Sequence, residues 1–175
     1  RLFLAIQLEE EIKRPLSYAV EVLRTFARKG SLTRKENLHL TLLFLGETWQ
    51  VEQARQAMDQ VTAQPFVLYF GGVGTFRRDG GDIYWVGVDK NPLLTDLYQQ
   101  LVLALSKQGF TLENREYRPH LTLGRQVRME PEFDQEKFSR SIPKMSCTVS
   151  SISLMNSERV NGLLTYTEIY RRVLE

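Results

Sequence analysis

The sequence predicts an α+β protein of two pseudo-two-fold-related lobes, with mostly antiparallel sheets around a central cleft and helices outside. Two observations carry this. The tetrapeptide His-Leu-Thr-Leu occurs at residues 39–42 and again at 120–123, once in each half of the 175-residue chain. The elements also run in two similar series: strand, helix, strand, helix, strand pair, then helix, strand, short helix, strand pair. No low-complexity linker divides the halves, only the loop near Lys90-Asn91-Pro92. Residues 1–175 are therefore expected to form a single two-lobed domain. Repetition beyond the tetrapeptide is weak, so the symmetry is inferred from the motif and the element order.

Leu2 to Leu8 carries little polarity on either face and reads as a central strand. A helix follows, with Ile12, Leu16, Ala19, Leu23 and Phe26 on one stripe and Glu9, Glu10 and Glu11 at its start. Pro15 belongs in a first turn, which places the helix start near Ile12, and Gly30 suits the C′ position. Asn37 to Leu45 is the next strand, ended by Gly46. Thr48 is expected to cap a helix bearing Val51, Ala54, Met58 and Val61. Phe66 to Phe76 and Asp82 to Asp89 form a hairpin around Arg77-Arg78-Asp79-Gly80-Gly81. Asn91-Pro92 opens a helix whose buried stripe is Leu93, Leu97, Leu101 and Leu105, closed by Gly109. Leu121 to Arg125 is a strand, and Glu130 to Ser139 a short helix or loop. Lys144 to Met155 and Leu163 to Leu174 are two long final strands.

Composition narrows the class. Hydrophobic residues make up 42% and charged residues 25%, the balance of an ordinary globular protein. A formal charge of +2 would not repel a polyanion, but does not by itself point to one. One cysteine, Cys147, excludes an internal disulfide and fits a reducing compartment. The apolar run Leu2 to Ile6 is too short to span a membrane. No signal peptide is read there, and a cytoplasmic, monomeric protein without membrane contact is expected.

The chain has two histidines, and both open the repeated tetrapeptide. Strand alternation puts His39 with Thr41 and His120 with Thr122 on one face, while the leucines face a core. If the lobes are related by a two-fold axis, both His/Thr faces meet in one cleft. In-line displacement at phosphorus needs a base on one side and an acid on the other, and imidazole serves as either near neutral pH. The threonine hydroxyls can donate to the non-bridging oxygens. A lone motif of this kind would more often be structural; two identical ones on separate halves favour chemistry. A zinc site lacks a third ligand, because Cys147 stands alone and no carboxylate lies at helical spacing from either histidine.

Longer stretches carry a family resemblance: Leu2 to Ile6; Glu36-Asn37-Leu38-His39-Leu40-Thr41-Leu42-Leu43-Phe44-Leu45-Gly46-Glu47; Gly72 to Phe76; Tyr84 to Val88; Tyr117-Arg118-Pro119-His120-Leu121-Thr122-Leu123-Gly124-Arg125; and the ending from Leu154 to Glu158 with Tyr166. These resemble the bacterial and archaeal RNA 2′,3′-cyclic phosphodiesterases of the two-histidine phosphoesterase superfamily, formerly called 2′-5′ RNA ligases. The resemblance implies a metal-independent, cofactor-free hydrolase that opens 2′,3′-cyclic phosphates on RNA ends or nucleotides to 2′-phosphates. By the same resemblance His39 is the proton donor and His120 the proton acceptor. Thr41 and Thr122 hold the phosphate, joined by Arg125. Strict alternation from His120 points Arg125 away from the cleft, so a bulge or the strand's end must re-aim it. Phe44, Phe76, Tyr84 and Trp85 could stack on a base, although at strand spacing aromatics are more often core. The alternatives are 2′-5′ linkage hydrolysis or ligation, or a module that binds RNA ends without turnover.

Overall fold

The computed structural model describes residues 1–175. The elements are β1 (Leu2–Gln7), α1 (Glu10–Phe26), β2 (Ala27–Leu32), a 3-10 turn (Lys35–Asn37), β3 (His39–Gly46), α2 (Val51–Asp59), β4 (Phe66–Phe76), β5 (Asp82–Val88), α3 (Pro92–Lys107), β6 (His120–Met129), α4 (Gln135–Ser141), β7 (Met145–Val149), β8 (Ser151–Val160) and β9 (Leu163–Val173). They build two sheets, ordered β3-β1-β8-β9 and β2-β6-β5-β4-β7, and every neighbouring pair is antiparallel. One motif strand lies in each sheet. Helices α1 and α4 pack on the five-stranded sheet, while α2, braced by α3, packs on β8 and β9.

Leu2 to Ile6 is apolar at every position because β1 is central and buried on both faces. Leu4 and Ile6 join a continuous core of 37 buried residues drawn from both sheets and all four helices. Phe3 and Ala5 form a smaller cluster with Met155 on the opposite face, against Tyr166. Asn91 caps α3 as expected: its side chain accepts from the N–H groups of Leu93 and Leu94, and its amide donates to the Val67 carbonyl.

Several elements differ from expectation. Helix α1 starts at Glu10, which leaves Pro15 inside it. The carbonyl deprived of the Pro15 N–H belongs to Glu11, an exposed residue, so water can serve it. Gly30 caps nothing. The helix gives way at Phe26 to β2, where Gly30 takes φ +144° and a Cβ would lie 2.8 Å from Val127. The α3 stripe runs through Leu94 rather than Leu93, which is exposed. Thr48 accepts from the Gln50 N–H in the turn before α2 and does not cap the helix, and Val61 is buried just beyond its end.

The largest difference is at the C-terminal side. The expected strand Lys144 to Met155 is broken at Ser150: β7 joins β4, and β8 crosses to pair with β1. Each sheet is thus assembled from both ends of the chain. β2 enters the five-stranded sheet beside β6, and β8 with β9 returns to the sheet of β1. Leu4→Ala, at the centre of this crossing, is expected to lower the unfolding free energy by about 2–5 kcal/mol. Urea denaturation measures it, and a loss well under 1 kcal/mol would remove β1 from the core.

Candidate functional site

The two motif strands share one irregularity. Leu4 opposes Leu43 and Ala5 opposes Thr41, so Leu42 is an extra residue in β3. Leu42 and Leu43 both turn into the core, and alternation resumes with Phe44 on the other face. There Phe44 lies 6.1 Å from Phe3, whose ring is 5.2 Å from that of His39. In β6, Tyr84 opposes Gly124 and Trp85 opposes Thr122, so Leu123 is the extra residue. Leu123 and Gly124 are both buried and Arg125 comes out exposed. His39, Thr41 and Phe44 on one strand therefore correspond to His120, Thr122 and Arg125 on the other.

Both imidazoles are held alike. Nδ1–H of His39 donates to the Asn37 carbonyl at 2.7 Å, and Nδ1–H of His120 donates to the Arg118 carbonyl at 2.6 Å. Each carbonyl belongs to the residue two before its histidine, so the strand entry fixes both ring tilt and tautomer. Asn37 is itself locked, its side chain donating to Leu164 of β9. Each ring is also walled by two aromatics. Phe3 and Tyr166 flank His39, with Tyr166 edge-on at 5.1 Å; Phe76, edge-on at 5.1 Å, and Trp85 at 6.0 Å flank His120. Trp85 lies over Gly74, where a Cβ would meet the indole at 2.0 Å.

The imidazoles differ at Nε2. With Nδ1 carrying the hydrogen, the neutral His39 Nε2 accepts from the Thr41 hydroxyl at 2.7 Å. His120 Nε2 bonds no protein group. Burial pushes the proton affinity of both rings below the ordinary imidazole range; the backbone carbonyls oppose this and the Arg125 guanidinium adds to it. Arg125 also acts on the Tyr166 hydroxyl, which burial raises. One cation from the five-stranded sheet thus reaches both imidazoles and the far wall.

A cavity of about 420 Å³, the size of a nucleotide site, opens between the sheets. Thr41, Phe44, Phe76, His120 and Arg125 line it, together with Arg78, Arg115 and Arg118. His39 and Thr122 are not part of its lining; His39 meets it through Thr41.

Residues 11–161 match the 2′-5′ RNA ligase superfamily. The chain belongs to this family. It is 36% identical over 135 residues to the RNA 2′,3′-cyclic phosphodiesterase of Archaeoglobus fulgidus, which covers 75% of this chain and 76% of that one. The Escherichia coli protein of the same name is 29% identical over 177 residues, covering 99% and 96%. Among solved structures, E. coli LigT complexed with 3′-AMP superposes with a TM-score of 0.80 at 27% identity, covering 99% of this chain and 97% of that one. LigT complexed with phosphate gives 0.73 at 25%, covering 99% and 96%.

Within this 2′-5′ RNA ligase superfamily chain, the expected residues fall as follows. Thr41, His120 and Arg125 share the cavity, with His39 bonded to Thr41 and Thr122 beside Trp85 in register. The bulge, not the strand's end, brings Arg125 round. Of the four aromatics considered, Tyr84 is core, Phe44 and Phe76 line the cavity, and Trp85 supports His120. Arg78 reaches the cavity, whereas Arg77 pairs with buried Asp82. Cys147 faces the core opposite Leu68.

Sequence reading assigned nothing to Phe3, Asn37, Tyr117 or Tyr166. Alternation along β1 would have paired Phe3 with Ala5 on the face that packs against His39 and Tyr166. Tyr117 had no local signal: its hydroxyl donates to the Thr41 carbonyl at 2.9 Å while its ring stacks on Tyr98 of α3 at 4.2 Å. In the ligand-free protein both histidines are expected to titrate by NMR below the ordinary imidazole range, near 6.5, and to hold the Nδ1–H tautomer when neutral. Added phosphate should raise both values. Ordinary titration of both rings would contradict the packing described.

Proposed function

We propose that this chain hydrolyses RNA 2′,3′-cyclic phosphate ends to 2′-phosphate ends, with residues 1–175 acting as one two-lobed catalytic unit. The activity named for the A. fulgidus and E. coli relatives supports the reaction. The observation that carries the mechanism is the unlike state of two alike imidazoles. Nε2 of His120 is free to take a proton from water, whereas Nε2 of His39 is engaged by Thr41.

In this reading His120 accepts the proton as water attacks phosphorus. The P–O3′ bond breaks opposite, and His39 delivers its proton to the departing 3′-oxygen. The 2′-oxygen keeps the phosphate. Thr41, Thr122 and Arg125 hold the non-bridging oxygens, whose charge grows toward the transition state. Burial disfavours an imidazolium at His39 in the empty cleft, so the phosphodiester anion supplies the field that lets His39 hold its proton. As the anion enters, the Thr41 hydroxyl turns from His39 to a phosphate oxygen. The two imidazoles carry both protons, and no step is assigned to a metal. The lone buried Cys147 fits a reducing, cytoplasmic setting.

His39→Ala and His120→Ala are each expected to lose roughly 10²–10⁴-fold in turnover of a 2′,3′-cyclic nucleotide. A nitrophenyl phosphodiester, whose leaving group needs no proton, should restore His39→Ala and not His120→Ala. Near-wild-type turnover of the cyclic substrate by either variant defeats the mechanism, and rescue of His120→Ala instead reverses the roles.

The pH profile carries a sign. kcat/KM reports the free protein, where both imidazole pKa values are lowered, so both limbs of its bell should lie to the acid side of an ordinary histidine pair. kcat reports the complex, where the phosphate anion raises both values, so its optimum should move to higher pH. Coincident optima would mean that the phosphate does not sit between the imidazoles.

A further inference from the structure

The proposed reaction gives the cleft a direction. His39 protonates the departing 3′-oxygen, so C3′ and the neighbouring C4′, through which the preceding nucleotide is attached, lie on the His39 side of the phosphate. The base is carried by C1′, next to C2′, and diverges from them. The cavity suits the base, since Phe44, Phe76 and Arg125 line it. The upstream chain therefore leaves past His39, on the side away from the cavity.

The groups on that side belong to the four-stranded sheet. His39 is in register with Gln7 at the end of β1, and such partners project to the same face with Cα atoms about 5 Å apart. Ala5, two residues before Gln7, is paired on that face with Ser153 of β8. Glu168 of β9 stands two residues beyond Tyr166, whose ring meets His39, and so shares its face. The side chains of Gln7, Ser153 and Glu168 form one network. Ser153, 1% exposed, donates to Glu168 Oε2 at 2.6 Å, and Arg171 Nε donates to the same oxygen at 3.1 Å. Gln7 Nε2 donates to the Ser153 hydroxyl at 3.1 Å and to Glu168. None of the three lines the cavity.

The bond to Glu168 already satisfies the buried Ser153 hydroxyl, so the exposed Gln7 is not needed for that. What the network does to Gln7 is orient it. A carboxylate only accepts, so the amide cannot turn over without setting oxygen against oxygen. Nε2 is drawn toward β8 and β9, and Oε1, which no protein group meets, is turned away from them beside His39. A fixed acceptor is thereby presented where the upstream chain passes. The donor that every nucleotide of an RNA chain carries, whatever its base, is the 2′-hydroxyl.

Resting on the function proposed above, we propose that Gln7, oriented by Glu168 and Ser153, accepts a hydrogen bond from the 2′-hydroxyl of the nucleotide preceding the cyclic phosphate end. The residue reads the sugar and not the base. It distinguishes an RNA end from one whose preceding nucleotide is a deoxyribonucleotide, in any sequence.

The test uses two trinucleotides ending in the same 2′,3′-cyclic phosphate, one with ribose throughout and one with 2′-deoxyribose in the preceding nucleotide, beside adenosine 2′,3′-cyclic phosphate. Wild-type kcat/KM should favour the all-ribose trinucleotide about fivefold, the worth of one hydrogen bond. Gln7→Met, which keeps the length and loses the acceptor, should bring the two trinucleotides level and leave the mononucleotide unchanged. Equal turnover of the two trinucleotides by the wild type overturns the assignment, and that measurement needs no variant. A preference retained in Gln7→Met, or an equal loss on all three substrates, overturns it as well. If the wild type turns over none of them, the proposed reaction fails. The contact is then judged by fluorescence anisotropy of the two labelled trinucleotides. A ribose preference that Gln7→Met abolishes supports it; equal binding of both by the wild type, or a preference that survives in Gln7→Met, overturns it.

Discussion

A regular strand offers a given face only every second residue, yet each motif strand here must show that face residues at offsets of zero, two and five. An odd offset is unreachable without an extra residue in the ladder. The bulge after each threonine supplies it, and its demand falls on the core, which must accept two consecutive side chains where it would otherwise take one. In β3 the core takes Leu42 and Leu43. In β6 the second of the pair is Gly124, and a Cβ there would already lie 3.1 Å from Leu32 and from Val127. The side chains of Leu32, from β2 beside β6, and of Val127 thus leave room only for glycine at that point. Arg125 reaches the cleft through this arrangement, so the charge that acts on both imidazoles depends on a fit made on the opposite face of the sheet.

The two halves of the site are alike in scaffold and unlike in state. The same Nδ1-to-carbonyl bond, the same spacing and the same double aromatic wall recur around each imidazole. The differences arise from what stands at offset five and around the ring. Phe44 on one side and Arg125 on the other make the cleft apolar on one wall and cationic on the opposite one. Thr41 closes on His39, whereas no hydroxyl closes on His120. A near-symmetric frame therefore holds two imidazoles in non-equivalent states.

How legible this was in the sequence depends on the range of the interaction. Elements governed by local periodicity and caps were readable: β1 as a central strand, the β4–β5 hairpin, and the Asn91 cap of α3. The pairing of His39 with Thr41 and of His120 with Thr122 followed from alternation alone. What alternation could not place was Arg125, because a bulge is fixed by the partner strand. Pro15 misplaced the start of α1, since the penalty for an interior proline is small where the orphaned carbonyl faces water. The break at Ser150 carries no local signal; the chain changes sheets there because β1 has a free edge far away in sequence. An available clue was missed at Asn161-Gly162. Both residues take positive φ, 52° and 80°, which is the two-residue hairpin turn that joins β8 to β9. Tyr117 and Tyr166 reach the site across such long-range contacts.

The interleaving of the two sheets has a bearing on how the molecule comes into being. Strand β1 leaves a ribosome well before β8, its partner on one edge. Until β8 follows, the most apolar strand of the protein therefore presents an unpaired edge, the condition under which chains associate wrongly. Tyr166, which walls His39, arrives later still, on β9. A nascent chain ending before β9 would carry both histidines but only one of them fully housed, so the competence of the cleft and the closure of the sheet would be gained together.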